Sequence, residues 1–590
     1  METPQLSRRT FLTGAGLVAA AGLAGCAPQT KTLSSTGATG ASADLPETWD
    51  MEADVVVIGS GAAGAATAWW TLDGGLSTIV LEEREEAGGS AIENAGQVAV
   101  GATSVHKAAG YDATSDQYKK FLQFCGTEGV PEELLDIFVY QGPDTIDWLM
   151  DIGVKFADGA LEDNLLVLTK EDGSIDQEGM TAIGINTLGS EFHPNYIEGW
   201  DGHPQPTCLM ATWDDLEDEE FKEYRKDSLS AFAMDAHHGG PAYMLPILRG
   251  VREKGGEILL NTTAVQGYKD ESGRVIGVRA QQGSEDINVK ANKAVVIAAG
   301  NWMTDPDLMA QYAGHLQNCG FVPLSVSDGG QALKIGLAMG GHIANADSYW
   351  LSTECSFYLF SYVASRLSPM SKCLFVNADG SRFTAEDEYT PGTCGRMALN
   401  RLIAPADKKN YYVLLRDEDY NAHIDYLQWR VDQGFAGTYN VGAVDTEVKL
   451  ECNFDTMTHT DTIAEMAEKL NMPFLEKQIE IYNEFVDNGE DLQYNRFPEN
   501  LRPFKAEDGP FHAGLIDPTW LGGYSHGGLD INANGQVLDE SNTPIPGLYA
   551  AGRSARSIAE GTHEPSTGMS CAQGMVMGRA IGRYLSSTED

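Results

Sequence analysis

Gly59-Ser60-Gly61-Ala62-Ala63-Gly64 closes the apolar run DVVVI, and Glu82 closes the next one, STIVL. A first glycine permits the tight turn out of a strand, the second lets backbone approach a phosphate, and the third lets the following helix pack on the sheet. That helix would offer unpaired N–H groups and a positive dipole end to a pyrophosphate. Glu82, about twenty residues on, is placed to accept ribose hydroxyls. The chemistry implied is dinucleotide binding by a βαβ unit.

Composition excludes several other chemistries. The nine cysteines contain no CxxC pair and no CxxCH, so neither an iron–sulfur cluster nor covalently attached haem is encoded. A net charge of −45 argues against nucleic acid, whose phosphates it would repel. Between Leu161 and Ala236, Phe192, His193, Tyr196, Trp200, His203 and Trp213 stand in a Gly-, Pro- and Asp-rich background. Without helical spacing or nearby cysteines these histidines make no metal site. The aromatic residues could wall a pocket for a planar substrate, or form a surface cluster of their own.

The elements that must position the glycine motif emerge along the chain. Ser7-Arg8-Arg9-Thr10-Phe11-Leu12 and the apolar stretch to Cys26 read as a twin-arginine export signal, too short to span a bilayer. Leu23-Ala24-Gly25-Cys26 is similar to a lipoprotein cleavage box, which makes Cys26 a candidate for a lipid anchor. Residues 27–46 are a Ser-, Thr-, Gly- and Ala-rich linker. The expected place is the outer face of the cytoplasmic membrane, the periplasm or the cell envelope. From Gly255 to Gly300, short strands with turn signals ESGR and QGSED lead into a buried strand, VVIAAG. Near the C-terminus IPGLYAAG repeats that ending, and a helix rich in small residues starts at Gly568-Met569-Ser570. Together these describe an α/β fold with a Rossmann-like domain split in sequence.

These motifs resemble the FAD-binding family of fumarate reductases, succinate dehydrogenase flavoproteins, urocanate reductases and 3-ketosteroid 1-dehydrogenases. The resemblance implies FAD-binding residues 47–344 and 503–590 around an inserted α+β capping domain, 345–502. It implies cofactor contacts from Glu83, Gly89, Ser90, Gly96 and Gln97, from Ala264 and Val265, from Ala299 and Gly300, and from Gly552 and Arg553. Gly568, Met569 and Ser570 would start the last helix at the pyrimidine side of the flavin. No histidine lies between Gly88 and Gly101, where the family's covalent link forms, so FAD is expected to be non-covalent.

The cap carries Leu374-Phe375-Val376-Asn377 and Gly380-Ser381-Arg382-Phe383, and after them the pattern departs from fumarate reductases. Glu386 keeps the family's proton-relay glutamate, but Tyr389 and Tyr420 stand where arginines are expected. Arginine grips carboxylates through a rigid fork, so its loss argues against a small dicarboxylate. A tyrosine hydroxyl can instead polarise or protonate a neutral carbonyl compound. His526 and His563 are further catalytic candidates, and Arg396, Arg401 and Arg416 could supply a cationic acid. The resemblance thus implies reduction of a C=C bond conjugated to a carbonyl or carboxylate, hydride coming from flavin N5 and a proton from a protein acid. Electrons would come from a separate cytochrome or quinol-linked partner. Two alternatives stay open: a ketosteroid 1-dehydrogenase running the opposite way, and a non-catalytic FAD-binding redox subunit.

Overall fold

The computed structural model describes residues 45–94, 96–108, 111–124, 129–156, 191–192, 205–206, 208–212, 239–314, 320–323, 329–346, 348–353, 373–383, 386, 411–421, 456–496, 498, 501–516, 520–559 and 568–588. The export signal, Cys26, most of the aromatic stretch, Tyr389, Arg396, Arg401 and His563 lie outside the described residues. Phe192 is in a two-stranded pairing of Glu191–Phe192 with Gln205–Pro206. Among the described residues no helix is long and apolar enough to cross a membrane.

Along the chain, β1 (Met51–Ile58) leads through the glycine turn into α1 (Ala62–Asp73) and β2 (Thr78–Leu81). Then come β3 (Glu257–Leu259), β4 (Thr262–Lys269), β5 (Val275–Gln282), β6 (Glu285–Ile297) and α2 (Gln331–Ala338). The cap contributes β7 (Leu374–Asn377), β8 (Tyr411–Arg416), β9 (Thr456–Thr460), α3 (Ile463–Leu470), α4 (Leu475–Asn488) and β10 (Phe511–Ile516). The return is β11 (Gln536–Leu538), β12 (Pro544–Ala550) and α5 (Met569–Ser587).

The main sheet runs β11-β12-β6-β1-β2-β3, with β5 pairing β6 and β4. Its centre is parallel: Val55, Val56, Val57 and Ile58 match Thr78, Ile79, Val80 and Leu81 on one side and Ala294 to Ile297 on the other. Val55, Val56 and Val57 are fully buried, as a continuous apolar run covered on both faces should be. The expected turns at ESGR and QGSED are present, the second linking Gln282 to Glu285 across two residues. From Glu285 the chain continues as one 13-residue strand, antiparallel to β5 in its first part and parallel to β1 and β12 in its last.

Among the described residues α1 and α5 pack extensively on each other, and the reason is a stripe of glycines. Gly574, Gly578 and Gly582 recur every four residues, one face of a helix. A Cβ on Gly578 would sit 2.4 Å from the Ala63 carbonyl oxygen, and one on Gly582 would sit 2.6 Å from Trp70 Cβ. Both helices are thereby pressed together with their N-termini at the same edge of the sheet.

The cap sheet runs β7-β8-β10-β9, all antiparallel. Leu374, Val376, Leu414, Phe511 and Ala513 on one face pack on Met466, Leu475, Ile479 and Tyr482 of α3 and α4. The boundary expected at Arg502 therefore falls later. Phe511–Ile516 has alternating side chains that fill this core, and it belongs to the cap sheet rather than to the returning domain.

Candidate functional site

The carboxyl ends of the central strands open into a cleft of about 890 Å³. Gly59 holds a positive φ of 97°, and a Cβ there would lie 2.5 Å from the Ala298 carbonyl, so the turn requires glycine. A Cβ on Gly64 would fall 1.9 Å from the Gly59 carbonyl, so that residue serves the helix–strand contact rather than the cleft wall. Gly61 faces open space: the nearest atom to an added Cβ is 3.8 Å away. Ser60, Gly61, Ala62 and Ala63 line the cleft below it.

At one end stand Glu82 and Glu83 with Thr262, Thr263 and Ala264. Glu82 is buried, its Oε2 accepting from the Ser60 N–H at 3.0 Å and the Ser60 hydroxyl at 2.5 Å, its Oε1 from the Arg84 N–H at 3.0 Å. The Ser60 hydroxyl in turn accepts from the Gly88 N–H at 2.9 Å. This network pins the carboxylate at the cleft mouth. Val265, expected at the cofactor, follows Ala264 in β4 at a register shift against β5 and is not among the residues lining the cleft.

At the other end Ser90, Ala299, Gly300, Gly552, Arg553, Ser570 and Cys571 form the walls. Arg553 reaches across to donate a hydrogen bond to Ser90 Oγ. Asn94 ties this wall together, its amide donating to the Tyr243 hydroxyl and, at 3.0 Å, to Cys571 Sγ on α5. The Tyr243 hydroxyl donates to the Ala91 carbonyl at 3.0 Å, and burial pushes its pKa well up, so it stays a neutral donor. Gly96, Gln97 and Gly568 support the wall from behind. A Cβ on Gly568 would meet the Gln97 carbonyl at 2.5 Å, and one on Gly96 would meet Gly239. His237 and His238, just before that glycine, lie outside the described residues.

Three helix N-termini converge on this one cleft: α1 at Gly61, α2 at Gly330 and α5 at Gly568. None has a side-chain cap, and none has an acid in its first turn. Their free N–H groups and dipole ends favour an anion. Sequence reasoning marks GGQALKIGLAMGG as a helix but does not assign its start to the cofactor, although Gly329-Gly330 ahead of Gln331 carries the same glycine-then-helix signal as the first motif. It also missed Thr262, Thr263 and Gly574, whose position shows only once the strands are stacked.

This lining fits FAD. Ribose hydroxyls would meet Glu82, the pyrophosphate would meet the α1 turn, and the ring end would lie toward Arg553 and the start of α5. Beyond Arg553 and Ser570 a second, small pocket is lined by His526, Ser557, Met569 and Gln573. His526 is buried; its backbone N–H donates to Ser348 and its carbonyl accepts from Ser557, both at 2.8 Å.

The remaining catalytic candidates are placed elsewhere. Glu386 is fully buried and accepts from Arg382 Nε at 3.1 Å, Arg382 NH2 at 2.7 Å, Arg496 NH1 at 3.2 Å and the Phe375 N–H at 3.1 Å. Asp491 binds the same Arg382 NH2 at 2.9 Å. Burial alone would lower the Arg382 pKa, but Glu386 and Asp491 outweigh it and the net shift is upward. Burial likewise opposes ionisation of Asp491, and Arg382 reverses the sign, holding that carboxyl below its usual range. Glu386 is thus enclosed in a buried ionic cluster that fastens β7 to the segment after α4, and it lines neither cavity. Arg416 is bound to Asp419 at 2.7 Å. Tyr420 stacks on His512, ring centroids 4.1 Å apart, and it too lines neither cavity.

The sequence matches the FAD binding domain family over residues 54–568. It is 25% identical over 558 residues to the vinyl phenol reductase of Lactiplantibacillus plantarum, covering 90% of this chain and 96% of that protein. It is 24% identical over 590 residues to a 3-oxosteroid 1-dehydrogenase of Mycolicibacterium smegmatis, covering 91% and 98%. The solved structure of 3-ketosteroid-Δ4-(5α)-dehydrogenase from Rhodococcus jostii RHA1, in complex with 4-androstene-3,17-dione, shares the fold with a TM-score of 0.69. That likeness covers 93% of this chain and 99% of that one at 22% identity.

Proposed function

Because the chain belongs to the FAD binding domain family and is an FAD-dependent oxidoreductase acting on CH–CH bonds, we propose that it reduces a C=C bond conjugated to a neutral carbonyl or aryl group. The observation that carries this reading is the state of the three buried arginines among the described residues of the cap. Arg382, Arg416 and Arg496 are each clasped by carboxylates of the chain itself, which leaves a substrate carboxylate without a buried guanidinium from among them. A neutral acceptor needs only a hydrogen-bond donor or acid at its oxygen.

FAD, when bound without a covalent link, supplies the electron pair. The chain's own work is then to orient substrate and deliver a proton. His526 suits that task best of the described candidates, because it lines the cavity continuing the cleft past Arg553. Tyr420, Tyr389 and His563 remain proposed donors, and Glu386 is proposed to act through the ionic framework around it. Export by the twin-arginine route, acylation of Cys26 and a separate cytochrome or quinol-linked donor complete the reading, supported by Ser7-Arg8-Arg9 and the Leu23–Cys26 box.

Anaerobic reoxidation of the reduced protein, followed by flavin absorbance, tests the proposal against paired acids and neutral esters, enones and vinyl phenols. Rapid reoxidation by neutral acceptors is expected. Reoxidation by fumarate alone would refute it. Bleaching of the oxidised protein by saturated 3-ketosteroids, with silence across the panel, would favour the dehydrogenase reading that the 3-oxosteroid relative suggests.

A further inference from the structure

His459 on β9 and His512 on β10 are direct cross-strand partners at the edge of the cap sheet. Their Nδ1 atoms face each other at 2.6 Å. On its far side His512 Nε2 lies 3.0 Å from Asp417 Oδ1. The Asp417 carboxylate accepts a hydrogen bond from His512 Nε2–H, which fixes the tautomer and leaves the His512 Nδ1 lone pair pointing at His459. His459 Nδ1–H is then the donor in the pair. Tyr420 lies flat on the His512 ring, 14° from parallel, and holds its plane.

We infer that His459 and His512 chelate a divalent transition ion of the zinc or copper type through their two Nδ1 atoms. Two converging imidazoles, one of them backed by a carboxylate, are the ligand type and outer-shell arrangement such ions take. Among the described residues no group of three potential ligands gathers around one point, so the protein supplies two nitrogens. Water from the open groove beside the pair fills the remaining positions. That groove is walled by Asp461, Glu465 and Glu468, with Lys469 and Pro510 beside them.

Binding shifts the His459 proton from Nδ1 to Nε2 through solvent, with no net proton released, and both Nδ1 lone pairs bond the metal at about 2.0–2.1 Å. Two such bonds at a tetrahedral angle hold the nitrogens about 3.3 Å apart, so they must part by about 0.7 Å from their 2.6 Å contact; His459 lies exposed on the edge strand. The ion would fasten β9 to β10 beneath Tyr420.

The test is zinc chloride titrated into the FAD-loaded full chain at pH 7.5, in competition with a chromophoric zinc indicator. One zinc per chain is expected. His459→Ala should weaken binding at least tenfold, and Asp417→Asn by about 10–100-fold, the usual effect of removing an outer-shell carboxylate. Flavin content and the melting temperature without metal report whether each variant is folded. Parent affinity in a folded His459→Ala protein would overturn the inference, as would a loss of zinc in Glu465→Gln with none in His459→Ala. Absence of stoichiometric zinc in the parent would overturn it as well.

Discussion

Gly578→Ala sets two effects of opposite sign against each other. In the interior of a helix alanine is favoured over glycine by about 0.8–1.0 kcal/mol, so propensity alone makes this substitution stabilising. The structure says otherwise, because the new methyl would stand 2.4 Å from the Ala63 carbonyl oxygen, a backbone atom in the first turn of α1. Van der Waals contact needs about 0.8–1 Å more, and neither helix backbone can yield without parting from the other. Overpacking of this kind costs about 1–3 kcal/mol. The net expectation is a loss of up to about 2 kcal/mol, felt where α1 begins. Since α1 and α5 both direct free N–H groups into the cleft, parting them displaces the anion cradle, and FAD affinity should fall by about tenfold. FAD titration of the apoprotein and urea midpoints measure both. A variant at least as stable as the parent, with unchanged FAD affinity, would refute the packing argument.

Glu82→Gln should weaken FAD by about 10–100-fold, the scale of a lost charged hydrogen bond, in the same apoprotein titration. Glu386→Gln should destabilise the cap by about 3–5 kcal/mol, because Arg382 and Arg496 would face a neutral amide in a buried site; intact urea midpoints with lost turnover would instead make it an acid. Tyr420→Phe keeps the ring that stacks on His512, so flavin content should hold while turnover slows by about 10² if its hydroxyl delivers the proton. Unchanged turnover would leave that role to His526. His106 is buried, and desolvation lowers its pKa from 6.5 to about 4. The unfolded chain takes up the proton first, so about 3 kcal/mol of stability should be lost as pH falls from 6.5 to 4; urea midpoints of His106→Asn across that range should lack this slope.

Much of the cofactor cleft is legible in the sequence because phosphate binding needs backbone features that glycine spacing encodes locally. Gly59 to Gly64, Glu82, Gly300 and Gly552 carry their role within a few residues of sequence. Val265 is absent from the cleft lining although it follows Ala264, because a register shift in the strand, which a motif matched by sequence does not mark, falls at that residue. The strand Phe511–Ile516 falls to the wrong domain because its partners, β8 and β9, are far away in sequence. Glu386 shows the same limit for chemistry: Arg382 is four residues away and visible, whereas Asp491 and Arg496, which close the cluster, come from beyond α4. The pairing of His459 with His512 leaves no sequence signal at all, since it depends on the register of two strands.

The glycine seam between α1 and α5 also orders events in time. α1 is the first of the described helices to leave the ribosome and α5 the last, yet the cleft needs both to have two walls. Until α5 docks, Glu82 and the first glycine turn face a half-built groove. Cofactor capture therefore reports that the chain from α1 through α5 has been made and folded. Loss of a few residues around Gly578 would silence a site whose best-known residues lie at the opposite end of the sequence.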